Sequence, residues 1–177
     1  MTRRIGVKNI RKIKQAVPLI ENKIKVHFSF GSDYVIVTGS VESEFLAEEI
    51  VTAIDFGFDS EDAILLKNDG FLLKFIDIKD NTNRNNLKDV RARIIGREGR
   101  VKKAIENLTG AVLVIKDNTV AIIVDDLHLD TTTQAIKTLI HGTKHGTVFS
   151  YLERQNRTFK TTDIEDLGLK DPKKDLT

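Results

Sequence analysis

The chain has no cysteine. That absence excludes disulfides, zinc fingers and thiol catalysis together. No apolar run approaches the ~18 residues of a membrane-spanning helix. The opening "MTRRIGVKNI" is charged and lacks the apolar stretch of a signal peptide. A cytoplasmic chain with no membrane partner is therefore expected. No Walker-type phosphate loop, Ser/His/Asp arrangement or metal-ligand set is visible, so neither an enzyme nor a cofactor is expected. His27, His128, His141 and His145 show no catalytic spacing. His141 and His145 stand four apart, a spacing that suits a metal on a helix, but Gly142 falls between them and no carboxylate is placed to help. Lys and Arg are absent from one long stretch: residues 26–62 hold none, against nine Asp and Glu.

What is present gives that gap its meaning. Hydrophobic residues make up 40% and charged residues 31%, the balance of a packed fold. The net charge of +2 conceals segregation. Residues 1–25 carry eight Lys and Arg against Glu21 alone, and residues 84–103 carry eight against Asp89 and Glu98. Basic segments beside an acidic one suggest one surface for a polyanion and another for a different partner.

The sequence repeats itself. At an offset of 85, "LIENKIKVHFSF" (19–30) lies on "AIENLTGAVLVI" (104–115), "SDYVIVTG" (32–39) on "DNTVAIIV" (117–124), and Gly57 on Gly142. The second copy reads as strand "FLLKFIDI" (71–78), a polar loop, a helix over about 87–95, and a second helix over about 99–109 stopped at Gly110. Strands "AVLVIK" and "TVAIIV" follow, joined at Asp117-Asn118, then a helix stopped by Gly142. The first copy shows the later elements. Ile24, Val26, Phe28 and Phe30 alternate as a strand, and Ser40 caps a helix carrying Phe45, Leu46, Ile50 and Ile54 on one side. The offset sets this copy's opening strand before Met1, so the first module is expected to lack it and to expose a sheet edge unless "FLLKFIDI" or the region after Gly142 covers it.

Between the second copy's two helices stands "RIIGREGR" (93–100). Gly96 and Gly99 allow a tight turn without side chains on its shoulders. The following helix starts at Gly99, and its unpaired N–H groups welcome an anion. Arg93, Arg97, Arg100, Lys102 and Lys103 add full charges around it. In the first copy Arg11 and Lys14 stand where the glycines should be, so that copy has no such loop.

"RIIGREGRVKKAIENLTGAVLVI" resembles the K-homology (KH) RNA-binding motif along its whole length, with Val101 and Ile105 on the face that packs on the sheet. The order strand–helix–helix–strand–strand–helix is that of the eukaryotic-type (type I) KH domain. Two such modules, the second alone with the GXXG loop, resemble the archaeal pre-ribosomal-RNA-processing family, relatives of the eukaryotic partner of Nob. Arg93, two residues before Ile95, and Glu106-Asn107 of the second helix match that family's second KH motif. "AIDFGFDSEDAILL" (53–66) is similar to its connector. The likeness covers roughly residues 20–155. It departs at the N-terminus and at Glu98, an acid inside the phosphate loop.

The resemblance implies an α+β fold of two tandem type I KH domains, each a three-stranded sheet with helices on one face. The expected division is a degenerate module over 1–68, a GXXG module over 69–158 and a disordered tail over 159–177. It implies binding of single-stranded rRNA, at the 3′ end of 16S rRNA, during small-subunit maturation. Such modules clamp about four nucleotides. Arg93, Arg97, Arg100 and Lys103, with Lys102 beside them, would neutralise phosphates. Ile94, Ile95 and Leu113 would floor the groove under the bases, a role compatible with core packing. Glu98 would pair with Arg97 or Lys102, or contact a base amino group. Implied protein partners are the endonuclease that trims small-subunit rRNA and the alpha subunit of archaeal initiation factor two. Two other readings stand beside this one: a KH factor for mRNA or exosome RNA, and a protein-interaction adaptor using Glu44, Glu48 and Glu49 of the acidic first module.

Overall fold

The computed structural model describes the backbone of residues 2–166 and the side chains of 2–159. The chain order is β1 (Thr2–Gly6), α1 (Ile10–Ile24), β2 (His27–Phe30), β3 (Tyr34–Thr38), α2 (Val41–Phe56), α3 (Ser60–Ala63), β4 (Phe71–Asp77), α4 (Leu87–Ile95), α5 (Arg100–Thr109), β5 (Val112–Lys116), β6 (Thr119–Asp125), α6 (Asp126–His141) and α7 (His145–Asp166). The strands form two antiparallel sheets, ordered β1-β3-β2 and β4-β6-β5. In each sheet the strand that arrives last in the chain lies in the middle, so the repeat seen in the sequence is a repeat of topology. The two-residue turn at Asp117-Asn118 joins β5 to β6, with Lys116 opposite Thr119 and Asp117 at φ 52°.

The opening strand expected to be missing is present. β1 pairs with β3 along its whole length, from Thr2 opposite Thr38 to Gly6 opposite Tyr34. The gap-free offset misplaced it because the first module is shorter upstream. One 15-residue helix, α1, stands where the second module has two helices and a loop. The strand is also poorly marked: "TRRIG" buries only Ile5. Its arginines are held by side-chain contacts across the surface. Arg3 stacks over Phe45, 3.7 Å from the ring centre, and pairs with Glu48 at 2.5 Å, while Arg4 stacks over Tyr34 at 3.7 Å.

Cα packing divides the chain into two compact units, one of residues through Asp77 with Val112–Asp126, the other of Ile78–Ala111 with the chain from Leu127 onward. In the first unit, α1 and α2 bury Ile13, Ile20, Ile24, Ile50 and Ile54 against Ile5, Val35 and Val37 of the first sheet. Ala121 and Ile123 of β6 join the same core, with Leu73, Val112 and Val114 packed against it. One face of the second sheet therefore completes the first module's core. Residues Val120–Val124 are all buried, which explains why β6 reads as a continuous apolar run without alternation. Gly57 closes α2 at φ 145°, and a Cβ there would lie 3.2 Å from Val114 Cγ1. Phe58 follows it into the core, fully buried.

Three expected details shift. Ile24 ends α1 instead of opening a strand, because Lys25 turns left-handed at φ 53°. Phe45 lies outside the buried face of α2 at 55% exposure, under Arg3, whereas Glu44, Ala47 and Val51 lie inside. α7 continues past Phe159 to Asp166, into the stretch expected to be an unstructured tail; residues 167–177 lie outside the described part.

The second unit holds α4, α5, α6 and α7. Its residues Ile94, Ile105, Ile136, Leu139 and Ile140 are fully buried. The Asn156 side chain donates to the Leu108 carbonyl, tying α7 to the end of α5. Among the described residues no helix is long and apolar enough to cross a membrane.

Candidate nucleic-acid interface

The Gly-Arg-Glu-Gly loop turns the chain between α4 and α5 in three left-handed steps. Gly96, at φ 74° and ψ 173°, returns its N–H to the Ala92 carbonyl at 2.8 Å. That backbone region is open essentially to glycine alone. A Cβ at Gly96 would stand 2.8 Å from the Val101 backbone nitrogen and closer still to its Cγ2. Gly96 is thus required by the fold, because the loop folds back onto the first turn of α5. Glu98 follows at φ 54°, and Gly99 at φ 74° with its N–H on the Gly96 carbonyl at 3.2 Å.

Gly99 is different. A Cβ there would meet nothing within 4 Å. α5 starts on this residue with no side-chain cap and no acid in its first turn. The start of a helix lacks internal acceptors and carries positive partial charge. Among the described residues no side chain caps it, and the approach at Gly99 is unobstructed. An anion with several oxygens, as in a phosphodiester, matches such a site.

The structure sorts the expected cations into three groups. Arg97 and Lys103 are exposed and have no ion-pair or hydrogen-bond partner among the described residues. Arg100 pairs with Glu98 at 2.9 Å and Lys102 with Glu106 at 3.4 Å. Glu98 therefore faces Arg100, neither of the two cations nor the base that the sequence left open for it. Both ends of that pair are well exposed, so it is weak and readily exchanged for a phosphate.

Arg93 departs from its expected role. Its guanidinium donates to the carbonyls of Gly142, at 2.8 Å, and Thr143, where α6 ends. Its Nε is buried without a partner. The carbonyls and negative dipole end of a helix C-terminus draw a cation inward. Arg93 thus braces the loop instead of facing it. His145 completes the brace: its Nε2 lies 3.0 Å from the Arg93 carbonyl and donates there. These contacts join positions 49 to 52 apart, and no periodicity or spacing points to them.

The expected floor for bases also narrows. Ile94 and Leu113 have no exposed surface, whereas Ile95 is 37% exposed. A base can rest on Ile95 in this conformation and on neither of the others. The same holds for the acids proposed as a docking face. Glu44 is buried and accepts from the Gly39 N–H at 3.1 Å, and Glu48 pairs with Arg3, which leaves Glu49 alone exposed of the three.

Residues 72–157 match the eukaryotic-type (type I) KH domain, in the form of the second KH domain of PNO1. The KH domain-containing protein MJ0443 of Methanocaldococcus jannaschii is 30% identical over 169 residues, which are 92% of this chain and 74% of that protein. This chain belongs to the archaeal PNO1-like family of KH-domain proteins. The pre-rRNA-processing protein PNO1 of Debaryomyces hansenii is 34% identical over 107 residues, 59% of this chain and 42% of that protein. The chain thus spans less than half the length of that fungal relative. A chain of the crystal structure of the a/eIF2alpha-aDim2p-rRNA complex from Pyrococcus horikoshii superposes with a TM-score of 0.78 at 31% identity, covering 89% of this chain and 95% of that one. In this PNO1-like chain Gly96–Gly99 lies within the matched KH domain.

Proposed function

We propose that this chain is an RNA-binding factor of small-ribosomal-subunit maturation that holds single-stranded rRNA, at the 3′ end of 16S rRNA, through the Gly96–Gly99 loop. The observation that carries the reading is the uncapped, open start of α5 at Gly99, with the side chains of Arg97 and Lys103 unpaired beside it among the described residues. The neighbouring Pyrococcus complex, which contains rRNA and a/eIF2alpha, supports both the RNA and an initiation-factor alpha subunit as partners. The chain acts by binding and not by catalysis. Its working division lies near residue 68. The first module carries no GXXG loop, since α1 runs unbroken through the corresponding positions. It serves to complete the core with one face of the second sheet.

The test is competition binding with a labelled single-stranded RNA copied from the 3′ end of 16S rRNA. The native protein prefers this RNA over a scrambled competitor, and the Arg97→Asp/Glu98→Asp double variant loses it. Native binding without preference would leave an RNA-binding KH protein and remove the ribosomal assignment. Equal binding by both proteins would remove the loop as the site.

A further inference from the structure

We propose that Arg84 and Lys144 form a second phosphate-binding ledge at the C-terminal end of α6, taking the RNA backbone beyond the nucleotides clamped at the Gly96–Gly99 loop. The proposal rests on the RNA-binding reading above.

Arg84 lies in the polar loop before α4, and its guanidinium rests on the backbone of Gly142. Gly142 has φ 101°, and a Cβ there would lie 3.1 Å from Arg84 Cζ and closer still to one nitrogen. Only glycine lets the arginine lie so low. Arg84 is exposed, and its side chain has no carboxylate or carbonyl partner among the described residues. Asp89, the nearest acid downstream, is taken by the Asn86 side chain at 2.7 Å.

The usual reason for an arginine at a helix end is to neutralise the last carbonyls. Much of that work is done by other groups. Gly142 N–H closes on Leu139 O at 3.0 Å and Thr143 N–H on Thr138 O at 3.2 Å, and Arg93 takes the carbonyls of Gly142 and Thr143. Arg84 makes no ion pair or side-chain hydrogen bond there among the described residues, and its charge is left exposed. Lys144, exposed and unpaired, follows in sequence, and α7 starts at His145. Gly146 leaves open space where its side chain would be. Arg84, Arg93, Lys144 and His145 thus gather at one junction, with no carboxylate in contact with any of them among the described residues.

The junction is joined to the loop by a short, stiff path. The His145 ring and the Arg93 guanidinium hold the last turn of α4, and Arg93 lies three residues before Gly96, about one helical turn from the loop. A strand leaving the loop along this side meets a second set of cations at a fixed distance. The ligand is a phosphodiester chain, read by charge and not by base.

The experiment compares RNAs of about four and about ten nucleotides on the native protein, on an Arg84→Ala/Lys144→Ala variant and on Arg97→Asp/Glu98→Asp. Both ledge side chains are exposed and make no ion pair or hydrogen bond among the described residues, so the fold is retained, which circular dichroism checks. Expected are tighter native binding of the longer RNA and a roughly three- to tenfold loss in the ledge variant for that RNA alone. The slope of log affinity against log salt should fall by about 0.7 per phosphate contact removed. The loop variant loses both RNAs. A ledge variant that binds both lengths like the native protein overturns the ledge and leaves the loop assignment standing. Equal loss on both lengths also overturns it, since Arg84 and Lys144 would then belong to the loop's own clamp. A native protein that binds neither RNA overturns the RNA-binding reading itself.

Discussion

The two glycines of the loop look equivalent in the sequence and should fail in opposite ways when replaced by alanine. At Gly96 the backbone conformation costs a non-glycine residue about 1–3 kcal/mol. The added methyl also meets Val101 at its backbone nitrogen, 2.8 Å away, a part that cannot move aside cheaply. Overpacking of this kind adds roughly 1–3 kcal/mol. Gly96→Ala should therefore lose about 2–6 kcal/mol, a large share of the ~5–15 kcal/mol holding a typical domain. At Gly99 the methyl points into open space, and only the left-handed backbone is penalised, by about 1–2 kcal/mol. Gly99→Ala should stay folded but put a methyl where a phosphate must approach. Urea unfolding followed by circular dichroism measures the first effect, and fluorescence anisotropy with labelled single-stranded RNA the second. The expected pattern is a large drop in midpoint for Gly96→Ala with a small one for Gly99→Ala, and the greater loss of RNA affinity per folded molecule for Gly99→Ala. Equal stability losses would refute the distinction, and undiminished RNA binding by Gly99→Ala would refute close phosphate approach at that residue.

Four further predictions follow from the contacts. Glu98→Gln removes the acid facing Arg100, so RNA affinity should rise severalfold and the salt slope steepen by about 0.7, read by anisotropy across a salt series. Ile94→Ala should cost about 2–5 kcal/mol of stability, whereas Ile95→Ala should barely change the unfolding midpoint and weaken RNA binding. Arg93→Lys cannot reach two carbonyls as a planar fork does; it should lose about 1 kcal/mol in denaturant titration while the RNA affinity of the folded fraction holds. Glu44→Ala leaves the Gly39 N–H without its acceptor and should cost about 1–3 kcal/mol, with Glu49→Ala neutral in the same titration.

The loop was legible because its logic is local. Gly96 and Gly99, the basic residues after them and the helix pattern of Val101 and Ile105 are all contiguous. The repeat was legible for a similar reason, since alternating strands and a capped helix leave short-range marks: Ser40 does accept from the Ser43 N–H, at 3.2 Å. β1 was not legible. Its two arginines gain their place only through Phe45, Glu48 and Tyr34, which lie far along the chain. The burial of Arg93, Ile94 and Leu113 was not legible in the motif for one physical reason. A motif gives the residue types near an interface but not which atoms burial removes from it. Arg93 is taken by carbonyls about fifty residues away, and Ile94 and Leu113 by the core. Arg84 showed only as the first residue of the basic run 84–103, since the fold alone brings it to Gly142.

The central claim is that RNA lies on the backbone at Gly99, and glycine amides report on it directly. The chain has 11 glycines, among them Gly6, Gly31 and Gly39 in the first module and Gly96 and Gly99 in the loop. Glycine-selective nitrogen-15 labelling gives each an amide signal, and the measurement is a titration with single-stranded RNA from the 3′ end of 16S rRNA. The account predicts that Gly99 and Gly96 shift first and most, while Gly6, Gly31 and Gly39 stay in place. Shifts concentrated on those three, with Gly96 and Gly99 unmoved at saturation, would contradict it.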